Sequence, residues 1–255
     1  MFKFDCHAHV YERLTPSGTV RYVPDRPAPL SQWRSNIADH GLAGGVIVQV
    51  SFLGTDNSQL LTALAGLDRR HFAGVAVTDL TVTDEELDGL VAGGVRGLRW
   101  NLVDNARLPD LGSDEVGRLV ARLRERAMHI EIQLESPRLA GWLDPLSRLE
   151  LPVVIDHIGL PVSPDADREP WIAALSELGD RSSFYVKLSA AYRGVADPSA
   201  HAARLRDLLG DERFVWGSDW PHTRHENTAA YDGLLAMSEI YDDAEAARTL
   251  YAIRA

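Results

Sequence analysis

Asp5-Cys6-His7-Ala8-His9 closes the first strand-like run of the chain. Side chains alternate along an extended backbone, so Asp5, His7 and His9 are expected on one face, with Cys6 and Ala8 on the other. A lone histidine is ordinarily a packed or surface residue. Two imidazoles leaving the same end of one strand are a far more specific pattern for a binding or catalytic site.

Strand and helix alternate from there on. Extended runs are expected at Phe2–Cys6, Gly45–Ser51, Phe72–Thr78, Val95–Asn101, His129–Leu134, Pro152–His157, Phe184–Ser189 and Phe214–Asp219. Apolar residues at three-and-four spacing predict helices over Leu30–His40, Ser58–Asp68, Asp84–Ala92, Asp114–Arg126, Pro137–Leu149, Pro170–Leu178, Pro198–Leu209 and Thr228–Tyr251. This alternation implies a parallel sheet, and eight repeats in 255 residues suit a single (β/α)8 barrel of the TIM type over residues 1–255. An open doubly wound sheet would often carry a glycine-rich phosphate loop after its first strand, and none follows here. Gly93-Gly94-Val95-Arg96-Gly97 reads instead as a tight helix-to-strand turn. Thr83 with Glu86 forms a capping-box pattern, while Ser136-Pro137 and Asp197-Pro198 each place a capping side chain before a proline suited to a first helical turn. Pro24–Pro29 is too short to be more than a loop.

Apolar residues make up 45% of the chain and charged residues 25%, the mix of a globular protein with a substantial core. An excess of 37 Asp and Glu over 26 Lys and Arg gives a net charge of −11, which argues against nucleic acid or an anionic membrane as partner. Arginines inside a pocket can still reverse the field locally for a small anionic substrate. Cys6 is the sole cysteine, so no intramolecular disulfide or cysteine-based metal cluster forms. With no secretory pattern at the N-terminus and no long apolar run, a cytoplasmic protein is expected.

In a parallel barrel all strand C-termini meet at one mouth, where active sites of such enzymes lie. His7 and His9 after the first strand, His157 ending the sixth and Asp219 ending the eighth would therefore converge from distant parts of the chain.

These residues resemble the amidohydrolase superfamily, whose pattern joins a His-x-His after strand one, a histidine ending strand six and an aspartate ending strand eight. Arg21-Tyr22-Val23-Pro24, Val50-Ser51-Phe52-Leu53-Gly54-Thr55-Asp56-Asn57, Val95-Arg96-Gly97-Leu98-Arg99-Trp100-Asn101, Val154-Ile155-Asp156-His157 and Trp216-Gly217-Ser218-Asp219-Trp220-Pro221-His222-Thr223 look like its 2-pyrone-4,6-dicarboxylate lactonase branch, whose role is in aromatic catabolism. The resemblance covers nearly the whole chain. It implies a hydrolase that opens a small carboxylated lactone and requires no cofactor. A binuclear member would supply a lysine from strand four and a histidine from strand five; here those strands offer Arg99, Asn101 and Gln133, so two metals are not expected. His129 opens its strand and should lie at the barrel bottom. His7, His9, His157 and Asp219 would still satisfy one zinc ion with an open water position.

For lactone hydrolysis, Asp219 is the expected general base, its basicity raised by burial, while His7, His9 and His157 polarise the carbonyl. Arg99 and Arg193 are candidates for substrate carboxylates, because a guanidinium can pair with them through two parallel hydrogen bonds. Tyr22, Ser51 and His222 join the pocket through the resemblance. Alternation also puts Ser51 on one face with Gln49, and Val46, Val48 and Val50 on the helix-facing side. Arg107 lies in a loop that could reach inward. His40, His71 and His201 are expected to be exposed and His225 to rim the site. Glu131 and Lys187 face inward on strands five and seven, which suggests a buried ion pair. Two rival activities use the same residues, a zinc-dependent decarboxylase and a sugar-acid lactone hydrolase or isomerase. A non-catalytic descendant is disfavoured by the complete set of strand-end polar groups.

Overall fold

The computed structural model describes residues 3–18, 20–194, 198–231 and 243–255. Eight strands follow one another around a single sheet, each parallel to its neighbours: β1 (Phe4–Ala8), β2 (Gly44–Val48), β3 (Phe72–Ala76), β4 (Val95–Asn101), β5 (His129–Gln133), β6 (Val153–Ile155), β7 (Phe184–Ser189) and β8 (Phe214–Gly217). Just beyond β8 the ring closes on β1, where the His9 amide donates to the Trp220 carbonyl at 2.7 Å and the Asp219 amide to the His7 carbonyl at 2.8 Å. The expected (β/α)8 barrel is therefore present. Helices α1 (Leu30–Asp39), α2 (Ser58–Ala65), α3 (Asp84–Ala92), α4 (Asp114–Glu125), α5 (Ser136–Ala140), α6 (Leu143–Ser147), α7 (Pro170–Glu177) and α8 (Ser199–Leu209) run between the strands. No helix among the described residues is long and apolar enough to cross a membrane.

In α4 the pattern is plain: Val116, Leu119, Val120 and Leu123 are buried while charged residues face out. Full burial of side chains of this size contributes about 1.5–3 kcal/mol each. The Thr83 capping box at α3 forms as its sequence implies. The single helix expected over Pro137–Leu149 is broken into α5 and α6 between Ala140 and Leu143, because Pro145 has no N–H to continue the ladder and is tolerated only in a first turn. Ser136 is not the cap of α5 but its first residue, and its hydroxyl instead accepts the Trp171 amide at 3.3 Å. Phe2, Asp197 and residues 232–242 of the last expected helix lie outside the described residues.

That last helix is described as α9 (Ala244–Tyr251), which touches β1, β4 and β8. A helix can reach those three strands only across the barrel's N-terminal end. Ala247, Leu250, Tyr251 and Ile253 pack there with Phe4, Cys6, Val46, Val75, Val154 and Val215. His129 lies at this end as expected, its Nδ1 meeting the Leu250 carbonyl at 3.1 Å. Its ring needs the space of an inward glycine, since a Cβ on Gly97 would come within 2.4 Å of it.

Two alternation patterns differ from expectation. The β1–β2 register slips by one residue between Asp5 and Ala8, a bulge in β1. Asp5 therefore parts from His7 and faces outward, its carboxylate accepting from Trp33 Nε1 at 2.7 Å, Ser218 Oγ at 2.7 Å and the Tyr231 hydroxyl at 3.0 Å. Cys6 and His7 both face the bore. In β2 the phase is the reverse of the expected one: Val46 and Val48 fill the interior, Ile47 meets the helices, and the Gln49 amide braces the following loop through the Gly54 and Asp56 carbonyls.

Candidate active site

His7, His9, His157 and Asp219 meet at the C-terminal mouth. The Nε2 atoms of His7 and His9 lie 3.7 and 3.6 Å from Asp219 Oδ1. The His157 ring centroid is 4.8 Å from that of His7. Local departures from regular strand geometry place three of these side chains. The β1 bulge turns His7 inward, and a Cβ at Gly217 would sit 2.4 Å from the His7 Cβ, so β8 must be bare at that point. His157 follows Asp156, which already faces the bore, and alternation would send it out. Instead its backbone is left-handed at φ 55°, which swings the imidazole back to the mouth. Asp219 is left-handed as well at φ 57°. Such residues cost about 1–3 kcal/mol each and cluster where function demands the geometry.

Hydrogen bonds fix the rings. His9 Nδ1 donates to the Val48 carbonyl at 2.8 Å, turning Nε2 toward the cavity, and His157 Nδ1 pairs with Ser189 Oγ at 2.8 Å. Asp219 Oδ2 is held by the Tyr192 hydroxyl at 2.5 Å and by Arg193 Nε at 2.8 Å, which leaves Oδ1 facing the histidines. Burial pushes the Asp219 carboxyl up, yet the Arg193 guanidinium carries it well below the usual carboxylate range. The expectation that burial makes Asp219 more basic is thus reversed, because the adjacent cation outweighs desolvation. Burial, with Lys187 nearby, pushes His7 down to about 4, and burial pushes His157 well below the ordinary imidazole value, so both rings are neutral at physiological pH.

Beneath the mouth lies a buried ionic layer. Lys187 Nζ meets Glu131 Oε1 at 2.7 Å, Asp156 Oδ1 at 3.2 Å and His7 Nδ1 at 3.1 Å. Arg99 joins it through Nε to Asp156 Oδ2 at 2.8 Å and one terminal nitrogen to Gln133 Oε1 at 2.7 Å. The expected Glu131–Lys187 pair is real, but it is part of a larger network. Two cations and two carboxylates balance, as buried charge must.

Above lies a cavity of about 340 Å³. It is lined by His9, His157 and Asp219 below and by Tyr22, Ser51, Arg99, Arg193 and His225 around. Three larger hollows, of 680, 710 and 450 Å³, are lined by none of the histidines. Ser51 reaches the cavity because the chain leaves β2 in a 3-10 turn over Ser51–Leu53, and its hydroxyl donates to the Tyr22 hydroxyl at 3.2 Å. His222 does not line the cavity; it is buried behind Tyr192, ring centroids 5.9 Å apart. Arg107 is exposed and contributes nothing to the lining. His201 is not exposed but fully buried, its Nε2 bonded to the Ser163 carbonyl at 2.9 Å, since α8 presents that face to the loop after β6. Sequence reasoning missed Tyr192, whose signal was its place beside Arg193 just after β7. It also assigned no role to Arg21 and Arg224, which line the rim.

His7, His157 and Asp219 bring potential metal-ligand atoms within 4.8 Å of one another. A second such group, His7, Glu131 and Asp156, surrounds the Lys187 ammonium.

The amidohydrolase family model matches residues 4–252. A 2-pyrone-4,6-dicarboxylate hydrolase of Comamonas testosteroni is 30% identical, over 91% of this chain and 80% of its own. A 4-sulfomuconolactone hydrolase of Rhizobium radiobacter is 29% identical, over 86% of this chain and 76% of its own. Among solved structures, an Acinetobacter baumannii protein provisionally assigned as a 2-pyrone-4,6-dicarboxylic acid hydrolase, with citric acid bound, superposes with a TM-score of 0.85 at 30% identity, covering 94% of this chain and 91% of that one. With its barrel, its strand-end histidines and a family match over almost its entire length, the chain belongs to the amidohydrolase family.

Proposed function

We propose that this protein is a lactonase that opens a small carboxylated lactone, 2-pyrone-4,6-dicarboxylate or a close relative, by water attack. The observation that carries the reading is the disposition of Asp219: one oxygen pinned by Tyr192 and Arg193, the other turned to three imidazoles under a cavity rimmed by arginines. Two relatives named for hydrolysis of anionic lactones support it, as does the citric acid, itself a polycarboxylate, in the Acinetobacter structure.

In this reading Asp219 Oδ1 takes a proton from water as the water oxygen bonds to the lactone carbonyl carbon. The histidines donate to the developing oxyanion, whose charge is stabilised most by donors already in place. The bond from that carbon to the ring oxygen then breaks, and the proton held by Asp219 returns to the leaving oxygen. Arg193 and the distal edge of Arg99, whose Nη1 carries no protein partner among the described residues, orient the substrate carboxylates.

The family often uses metals, and the ligand spacing here would admit one divalent ion. Polarity argues otherwise. A metal-ligating imidazole donates its remote N–H to a carboxylate or carbonyl. His9 does so to Val48, but the remote nitrogen of His7 lies nearer the Lys187 ammonium, at 3.1 Å, than the Asp156 carboxylate, at 3.5 Å, a donor set poorly suited to a metal, and the proposed reaction uses none. Assay of both lactones with the wild type and Asp219→Asn tests the reading: turnover should fall by about 10²–10⁴-fold in the variant while substrate still binds. Full activity in Asp219→Asn, or none in the wild type, overturns it.

A further inference from the structure

Lys187 lies one layer below the site and does not line its cavity, yet it meets His7. An ammonium has three N–H donors and no acceptor. Here it is ion-paired with Glu131 Oε1 at 2.7 Å and Asp156 Oδ1 at 3.2 Å and hydrogen-bonded to His7 Nδ1 at 3.1 Å. All four groups are buried. His7 Nδ1 also lies 3.5 Å from Asp156 Oδ1, farther than from the ammonium, and that oxygen accepts no hydrogen bond among the described residues. The opposite ring nitrogen, Nε2, has no hydrogen-bond partner among the described residues and lies 3.7 Å from Asp219 Oδ1 at the mouth.

We propose that Lys187 is a positioning residue which fixes the tautomer of His7: by donating to Nδ1 it keeps the ring hydrogen on Nε2, where it points at the reacting oxygen. Glu131 and Asp156 hold the ammonium in place. Glu131 is itself anchored by the Tyr251 hydroxyl at 2.8 Å, so the helix that closes the barrel bottom is linked through Glu131 and Lys187 to the catalytic imidazole. Without Lys187, the ring would turn its hydrogen to Nδ1 and donate to Asp156, presenting a bare lone pair to the oxyanion. The donor would be lost with every catalytic side chain still in place.

The role of His7 as an oxyanion donor rests on the lactonase reading, but the tautomer does not, and it can be read alone. In protein labelled with ¹⁵N-histidine, the His7 resonances are assigned by their disappearance in His7→Gln, and two-bond couplings identify the protonated nitrogen. The wild type at neutral pH should show His7 neutral with hydrogen on Nε2; hydrogen on Nδ1 overturns the proposal whether or not any lactone is turned over. Lys187→Met paired with Glu131→Gln keeps the buried charge balanced and should shift the hydrogen to Nδ1. In that double variant kcat should fall by about 10²-fold, with KM changed by no more than about threefold, the signature of a lost transition-state donor. Glu131→Gln alone, which leaves the ammonium in contact with His7, should keep the Nε2–H form. A folded double variant that retains both the Nε2–H form and its kcat also overturns the proposal. If the double variant does not fold, the wild-type spectrum decides.

Discussion

Acidification should weaken the fold through His7 in a way that can be isolated. Burial, reinforced by Lys187, brings its pKa from the ordinary 6.5 down to about 4 in the folded protein. Above the ordinary value neither state carries the proton, and stability is flat with pH. Between 6.5 and about 4 the unfolded chain binds a proton that the folded chain refuses, so stability declines as pH falls; below about 4 both states bind it and the decline ends. At about 1.4 kcal/mol per pH unit, the gap corresponds to about 3 kcal/mol for this group. Other buried groups titrate as well, and comparison with His7→Gln, which lacks the proton site, removes their contribution. Melting temperatures of the two proteins, followed by tryptophan fluorescence from neutral pH to about pH 4, should converge by about 6–12 °C, since 1 kcal/mol shifts a domain of this size by about 2–4 °C. A difference in melting temperature that stays constant or grows on acidification would refute the account of a buried, neutral imidazole.

Two further outcomes are expected. Tyr192→Phe removes a charge-assisted hydrogen bond to Asp219 worth about 1.5–3 kcal/mol, so the carboxylate protonates more readily and the acid limb of kcat/KM moves to higher pH; an unmoved limb would show that Tyr192 does not hold Asp219. Dialysis against a strong chelator should leave lactone hydrolysis unchanged, and loss of activity restored by zinc would overturn the metal-free reading.

The barrel and the meeting of His7, His9, His157 and Asp219 were legible because strand-end position is a property of the repeat and survives small errors of phase. Phase itself was not legible. Nothing in Asp5-Cys6-His7-Ala8-His9 announces the bulge that separates Asp5 from His7, since a bulge reflects pairing with β2 and the demand of the Asp5 carboxylate for Trp33 and Ser218. Ser51 was placed in the cavity for a faulty reason, because β2 runs in the opposite phase and a 3-10 turn corrects the direction. His157 reaches the mouth through a left-handed backbone, which is uncommon for any residue other than glycine. The basicity of Asp219 was misjudged because the position of Arg193 against it depends on the turn after β7, where Ala190 is also left-handed.

The apolar stopper formed by α9 with Phe4, Val46 and Val215 has a consequence for traffic. Among the described residues the base is corked, so in the proposed lactonase reaction the ring that enters and the opened acid that departs share the passage at the mouth. The leaving product carries one more carboxylate than the arriving lactone, and the doorway arginines greet both. Inhibition by product should therefore be competitive with substrate, and the exit of a newly made anion past that cationic threshold is a natural place for turnover to be paced.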